Sequence, residues 1–113
     1  MLFRSDFTYI DDIVEAIIRL LNRTDDRSEL HQIYNIGHGN PKSILELVTA
    51  LETILNVKAK IKYQPMELGD VNITFSNNKK IMQTIQYKPD TKFYEGLELF
   101  CSWLEDYMQS NTH

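Results

Sequence analysis

A chain of 113 residues and 13.3 kDa has room for one modest domain with a core, and too little for a cofactor domain beside a substrate domain, so a single unit over 1–113 is expected. Hydrophobic residues at 42% and charged residues at 25% exclude a disordered or fibrous chain. The net charge of -4 arises from 16 acids against 12 bases with Lys and Arg scattered, which excludes nucleic acid as the expected partner.

The apolar runs are short, as in Ala16-Ile17-Ile18 broken by Arg19, and the N-terminus lacks a basic start followed by an apolar signal core. Neither membrane insertion nor secretion is expected, and a cytoplasmic location follows. Cys101 is the only cysteine, so an intrachain disulfide and a cysteine-based zinc cluster are excluded. The spacing of His31, His38 and His113 puts no two of them on one helical face with a carboxylate, and no metal is expected.

In chain order, Phe7-Thr8-Tyr9-Ile10 is β-branched and aromatic and suits a short strand. Asp11 and Asp12 then offer carboxylates to a helix start, with Ile13, Val14, Ile17, Ile18 and Leu21 tracing its buried stripe until polar Asn22 to Glu29 ends it. Gln32 to Ile36 reads as a second strand, stopped by Gly37-His38-Gly39-Asn40-Pro41. Ser43 and Glu46 have capping-box spacing, so a helix begins near Ser43, its stripe being Ile44, Leu47, Val48, Leu51 and Leu55. Ala59 to Gln64 alternates as a half-exposed third strand, and Pro65 to Val71 is a loop. Ser76 is placed to cap a short helix from Asn77 to Thr84. Pro89-Asp90-Thr91 opens the last helix, on which Phe93, Leu97, Phe100, Leu104 and Tyr107 recur at helical spacing. Cys101 and Trp103 widen that stripe, and Phe93, Phe100 and Trp103 read as core or interface rather than a cofactor box. The fold class is α/β, short strands alternating with about four helices.

Little in the sequence carries chemistry by itself. Asp11, Asp12 and Glu15 could serve acid/base or metal chemistry, but acids in a first helical turn are what the helix dipole favours, and that reading is preferred. Gly37-His38-Gly39 follows a strand, yet a dinucleotide fingerprint needs a third glycine where Lys42 stands, so a plain loop is expected. His38 has no serine, cysteine or acid in recognisable triad arrangement.

Three ordered segments carry a resemblance: Arg4-Ser5-Asp6-Phe7-Thr8-Tyr9-Ile10-Asp11-Asp12-Ile13-Val14-Glu15, then Ile33-Tyr34-Asn35-Ile36-Gly37, then Pro65-Met66-Glu67-Leu68-Gly69-Asp70-Val71. They resemble successive motifs of the NAD-dependent epimerase/dehydratase family, the extended short-chain dehydrogenases that act on nucleotide sugars, and within it most resemble the UDP-glucuronate 4-epimerase branch of capsule and lipopolysaccharide biosynthesis. The resemblance runs from Arg4 to about Tyr107 and matches the C-terminal, nucleotide-sugar-binding region. It implies NAD in the full-length family, bound on a Gly-rich turn, and a Tyr-x-x-x-Lys pair as acid/base. Neither motif occurs here: Ile13, His38, Glu67, Thr91, Glu98 and Asn111 stand four residues after the six tyrosines. The chain is therefore expected to bind no NAD alone and to be catalytically incomplete.

The resemblance also implies substrate-binding positions, namely Arg4, Glu67 and Asp70. The family arginine that pairs with the substrate diphosphate falls at Ser5, and Arg4 stands one residue early. A one-residue slip turns a strand side chain to the opposite face, so Arg4 reaches the phosphate only if the backbone bulges. Glu67 replaces a second arginine, or the glutamine of the uronate epimerases, and a carboxylate repels a diphosphate unless protonated or turned away. Asp70 matches the aspartate that contacts the nucleotide end, and equally suits a turn after Gly69. The implied partners are a nucleotide sugar and either a complementing NAD-binding domain or a second copy. A non-catalytic interaction module and a silent truncated fragment are the alternatives.

Overall fold

The structure, a computed structural model, describes residues 3–23, 31–69 and 71–111. Its elements in chain order are β1 (Arg4–Ser5), α1 (Ile10–Leu21), β2 (Lys42–Ser43), α2 (Ile44–Leu55), α3 (Lys79–Ile85) and α4 (Phe93–Ser110). Short strands thus alternate with four helices, as expected. The capping box that announces α2 is complete: the Glu46 N–H donates to Ser43 Oγ at 3.1 Å, and the Ser43 N–H donates to the Glu46 carboxylate at 2.7 Å. The helix ends on Asn56 at φ 54°, a left-handed conformation that asparagine tolerates.

The strands differ from expectation. β1 and β2 pair antiparallel with Arg4 opposite Ser43 and Ser5 opposite Lys42, and Arg4 also bridges Ile73 in parallel. The segments 7–10, 32–36 and 59–64 are not strands. Side-chain alternation shows that residues suit a pleat, but a strand also needs a neighbour for its N–H and C=O groups. Tyr9 instead forms the N-cap of α1 and Ile10 its first residue. Segment 32–36 keeps its alternation, with Tyr34 and Ile36 against the core and Ile33 and Asn35 exposed, while 59–64 is exposed throughout. α3 begins at Lys79 rather than Asn77, with Asn78 rather than Ser76 at its N-cap position and no side-chain cap bond, the Asn78 Oδ1 accepting from the Gly37 N–H and the Ser76 hydroxyl instead.

The core is small. Ala16, Ile81 and Ile85 form it where α1 meets α3, with Leu20, Tyr34, Ile36 and Tyr87 packed around them. α1 buries Asp12 and Ala16, not its apolar stripe: the Ala16 methyl lets the helices approach closely, and Val14, Ile17, Ile18 and Leu21 are 43% to 74% exposed. α2 packs on α4, where Cys101 is the one buried residue. Phe93 meets Phe7 at 5.7 Å between ring centroids, but Phe100 and Trp103 are half-exposed and continue to Tyr107, stacked on Trp103 at 5.3 Å. Phe100 and Trp103 thus lie outside the core formed by the described residues, which leaves the interface side of the core-or-interface reading for them.

These exposed faces show in the dimensions. The radius of gyration is 17.6 Å, against about 13 Å for a compact chain of this length. The accessible surface is 9022 Å², against roughly 6,400 Å² for a folded monomer of this mass. No helix among the described residues is long and apolar enough to cross a membrane.

Candidate functional site

β1 bonds to stretches that lie just beyond the second and third sequence motifs. Its antiparallel neighbour is β2, and on the other side the Arg4 N–H donates to Asn72 O and the Thr74 N–H to Arg4 O, tying β1 to the stretch just past Gly69. Asp6, the next residue, joins the loop after the second motif. Its carboxylate accepts the Gly39 N–H at 2.9 Å and the Ser76 N–H at 2.7 Å, linking positions up to 70 residues apart. Asn78 closes the hub, accepting the Gly37 N–H and donating to Gly37 O at 2.6 Å. Asp6 and Asn78 had no signal in the sequence, since neither stands in a motif with its partners.

The same bonds fix the character of the glycine loop. The Gly37 N–H goes to Asn78, the His38 N–H to Thr8 Oγ1 at 3.0 Å and the Gly39 N–H to Asp6. All three donors that would face a phosphate are taken by the protein, so these residues do not fit a dinucleotide pyrophosphate. Gly39, at φ +81°, has a conformational need for glycine, whereas Gly37 needs it for space, a Cβ there falling 2.6 Å from Ser76 Cβ.

The substrate-binding positions drawn from the sequence are distributed around this hub. Arg4 is exposed, and its guanidinium donates to Pro41 O at 3.4 Å. Its pairing with Ser43 and that of Ser5 with Lys42 follow without an inserted residue, so no bulge brings Arg4 to the face of Ser5. Glu67 is exposed on the segment that leads to the Arg4–Ile73 bridge. Asp70 lies outside the described residues. The Glu46 carboxyl is held below its ordinary range, by the Ser43 N–H first, against burial as the next largest effect, with the Ser43 hydroxyl, the charge of Lys42 and then that of Arg4 adding to the lowering.

The acids of α1 have separate structural roles. Asp12 is buried and accepts from Thr91 twice, from N–H at 3.0 Å and Oγ1 at 2.7 Å, fastening α1 to the entry of α4. Glu15 pairs with Arg19 one turn on at 2.8 Å. Tyr9 and Tyr87 have their hydroxyl pKa moved up, chiefly by burial, with Asp11 next for Tyr9 and Asp12 next for Tyr87. An acid/base tyrosine needs the opposite shift. Among the described residues no three His, Cys, Asp or Glu side chains group as metal ligands. A concavity of about 610 Å³ is apolar, walled by Phe7, Tyr9, Phe93, Leu97, Phe100 and Trp103.

Comparison with known proteins agrees with this arrangement. The chain is 35% identical over 108 residues to UDP-glucuronate 4-epimerase 5 of Arabidopsis thaliana, 34% over 116 residues to protein CapI of Staphylococcus aureus, and 38% over 98 residues to an uncharacterized protein of Methanocaldococcus jannaschii. These matches cover 87% to 90% of the chain but only 25% to 35% of the relatives, so the chain spans about a third of their length or less. No family model matches it. Among solved structures, UDP-glucuronic acid 4-epimerase from Bacillus cereus, in complex with UDP-glucuronic acid and NAD, superposes with a TM-score of 0.72 at 28% identity, over 90% of this chain and 32% of that one. MoeE5 in complex with UDP-glucuronic acid and NAD gives a TM-score of 0.80 at 24% identity, over 90% of this chain and 33% of that one, which supports the shared fold. In sequence and in fold the chain matches the C-terminal part of an NAD-dependent epimerase/dehydratase, with UDP-glucuronate 4-epimerases among its relatives.

Proposed function

We propose that the chain is the nucleotide-sugar-binding portion of an NAD-dependent UDP-sugar epimerase of the UDP-glucuronate type, catalytically incomplete on its own. The observation that carries this reading is that the first motif bonds to the stretches immediately following the other two, through Arg4 to 72–74 and through Asp6 and Thr8 to Gly39 and His38. It assigns Arg4, Glu67 and Asp70 to the substrate side and treats 1–113 as one unit. NAD belongs, in this reading, to a separate cofactor-binding portion, because the one glycine loop of the described residues has its N–H donors occupied. That portion is also the partner that best accounts for the exposed apolar face of α1.

The test is a heteronuclear NMR titration of the chain with UDP-glucuronate and with NAD. Weak shifts centred on β1 with the sugar nucleotide, and none with NAD, are the expected result. NAD-dependent turnover by the isolated chain would sink the reading. A second reading, self-association, is favoured by the exposed Phe100–Trp103–Tyr107 ladder on α4. Sedimentation over a range of concentrations separates the two, since a strict monomer excludes it.

A further inference from the structure

We propose that the segment 57–64 is a docking edge for another polypeptide, which adds to it as an extended strand carrying acidic side chains at alternate positions. This goes beyond the nucleotide-sugar reading and does not depend on it. From 57 to 67 the chain runs without a turn or bend, and residues 57–65 are exposed. Val57, Ala59, Ile61 and Tyr63 alternate with Lys58, Lys60, Lys62 and Gln64, so a pleated backbone sets an apolar row on one face and three ammonium groups on the other. Val57, Ile61 and Tyr63, β-branched or aromatic as strands favour, are 49% to 67% exposed. What the segment lacks is a neighbour.

One edge of the segment is already engaged. The Val57 N–H donates to Glu52 O at 3.2 Å and the Ala59 N–H to Glu52 Oε2 at 2.9 Å, so the main-chain groups of its odd-numbered residues face the end of α2. Main-chain groups of successive residues in a strand point to opposite edges, which leaves those of Lys58, Lys60 and Lys62 on the outer edge. Among the described residues, the N–H and C=O groups of these three make no hydrogen bond. Pro65, with no N–H to offer, falls on the inner edge, so the outer one is uninterrupted. An open edge of this kind recruits a strand, and the lysines decide which. In a second copy paired antiparallel about Lys60, Lys58 would stand opposite Lys62 and Lys60 opposite itself, and like charges directly opposite are destabilising. In a strand with acids at alternate positions, each carboxylate stands over an ammonium on the shared face, and the intervening apolar side chains extend the row of Val57, Ile61 and Tyr63. No acid lies between Glu52 and Glu67 in the sequence, so this row is a cationic stretch in a chain of net charge -4.

The experiment titrates the full chain with an eight-residue peptide that alternates glutamate and valine and is blocked at both ends, following amide shifts and amide hydrogen exchange. Binding should centre on 57–64 and slow exchange of the Lys58, Lys60 and Lys62 N–H groups, while those of Ile61 and Tyr63 stay fast. Lys60→Gln should weaken binding about twofold, and the triple substitution of Lys58, Lys60 and Lys62 by Gln about tenfold, the loss expected for three cross-strand charge pairs. Lys60→Pro should weaken it about tenfold by itself, because it also removes a main-chain donor from the outer edge. A fully N-methylated peptide, which keeps its charges and loses its main-chain donors, should not bind. Unchanged amide spectra outside 57–64 show that each variant is folded, and the methylated peptide makes the same comparison on the unsubstituted chain. Equal binding of the methylated peptide means attraction of charges without strand pairing and overturns the proposal. Equal binding of a peptide with lysine in place of glutamate overturns it too, as does the absence of any shift on 57–64 at millimolar peptide. Binding to vesicles of phosphatidylserine and phosphatidylcholine in place of the peptide assigns the lysines to a membrane surface and overturns the strand reading. None of these outcomes touches the nucleotide-sugar reading, which the titration with UDP-glucuronate tests separately.

Discussion

Gly37 has two neighbours that leave no room for a side chain: a Cβ would lie 2.6 Å from Ser76 Cβ and 2.9 Å from Asp6 Oδ2. Gly37→Ala therefore pushes apart the two anchors of the hub, and the expected destabilisation is about 1–3 kcal/mol, the usual cost of overpacking a site that cannot give way. Chemical denaturation of the two proteins measures it, and a variant as stable as the parent would show that the hub yields. The sequence marks Gly37 as a stop to regular structure but does not show the close approach, because Ser76 is far along the chain. The acids of α1 divide the same way. Their bias to the first helical turn is a local matter and legible, whereas the two bonds from Thr91 to Asp12 span 79 residues and leave no spacing to read.

Among the elements, helices were legible and strands were not, and the reason is the range of their hydrogen bonds. α1, α2 and α4 satisfy their backbone within four residues, so periodicity and caps suffice to find them. The extended stretch 32–36 has the side chains of a strand, but whether it becomes one depends on a partner edge elsewhere. α2 shows how far local chemistry reaches. Its Glu46 carboxyl titrates below the ordinary range, chiefly through the Ser43 N–H, so the folded form binds that proton less readily than the unfolded chain. The contribution to stability is fully present above the unfolded pKa and is lost as pH falls through the depressed folded value. Circular dichroism melts between neutral and acid pH should show the parent losing more stability on acidification than Glu46→Gln, whose amide does not titrate. Parallel curves for the two proteins would mean that the box contributes nothing pH-dependent to α2.

At the scale of the whole molecule, the chain exposes roughly 2,500 Å² more surface than a compact monomer of its mass, an area in the range of obligate interfaces. Part of it is the outer face of α1, where Ile10, Val14, Ile17, Ile18 and Leu21 follow helical spacing and are nonetheless exposed. The sequence reads Ile13, Val14, Ile17, Ile18 and Leu21 as a buried stripe, whereas in the structure all but Ile13 are exposed, and Asp12 and Ala16 are the positions of α1 that the described residues cover. A substitution on the stripe therefore separates two kinds of stability. Ile17 is 45% exposed, so Ile17→Asp should change the melting of the isolated chain little, within about 0.5 kcal/mol as for other surface positions. If the cofactor-binding portion of a relative covers the stripe, a charge buried there without a partner should reduce its association with this chain by a hundredfold or more, an order-of-magnitude figure from the cost of desolvating an unpaired charge. Sedimentation of the two polypeptides mixed, with and without Ile17→Asp, makes the measurement. Association that survives the substitution places the contact elsewhere, on α4 with its aromatic ladder, and Trp103→Asp then becomes the variant that must abolish it.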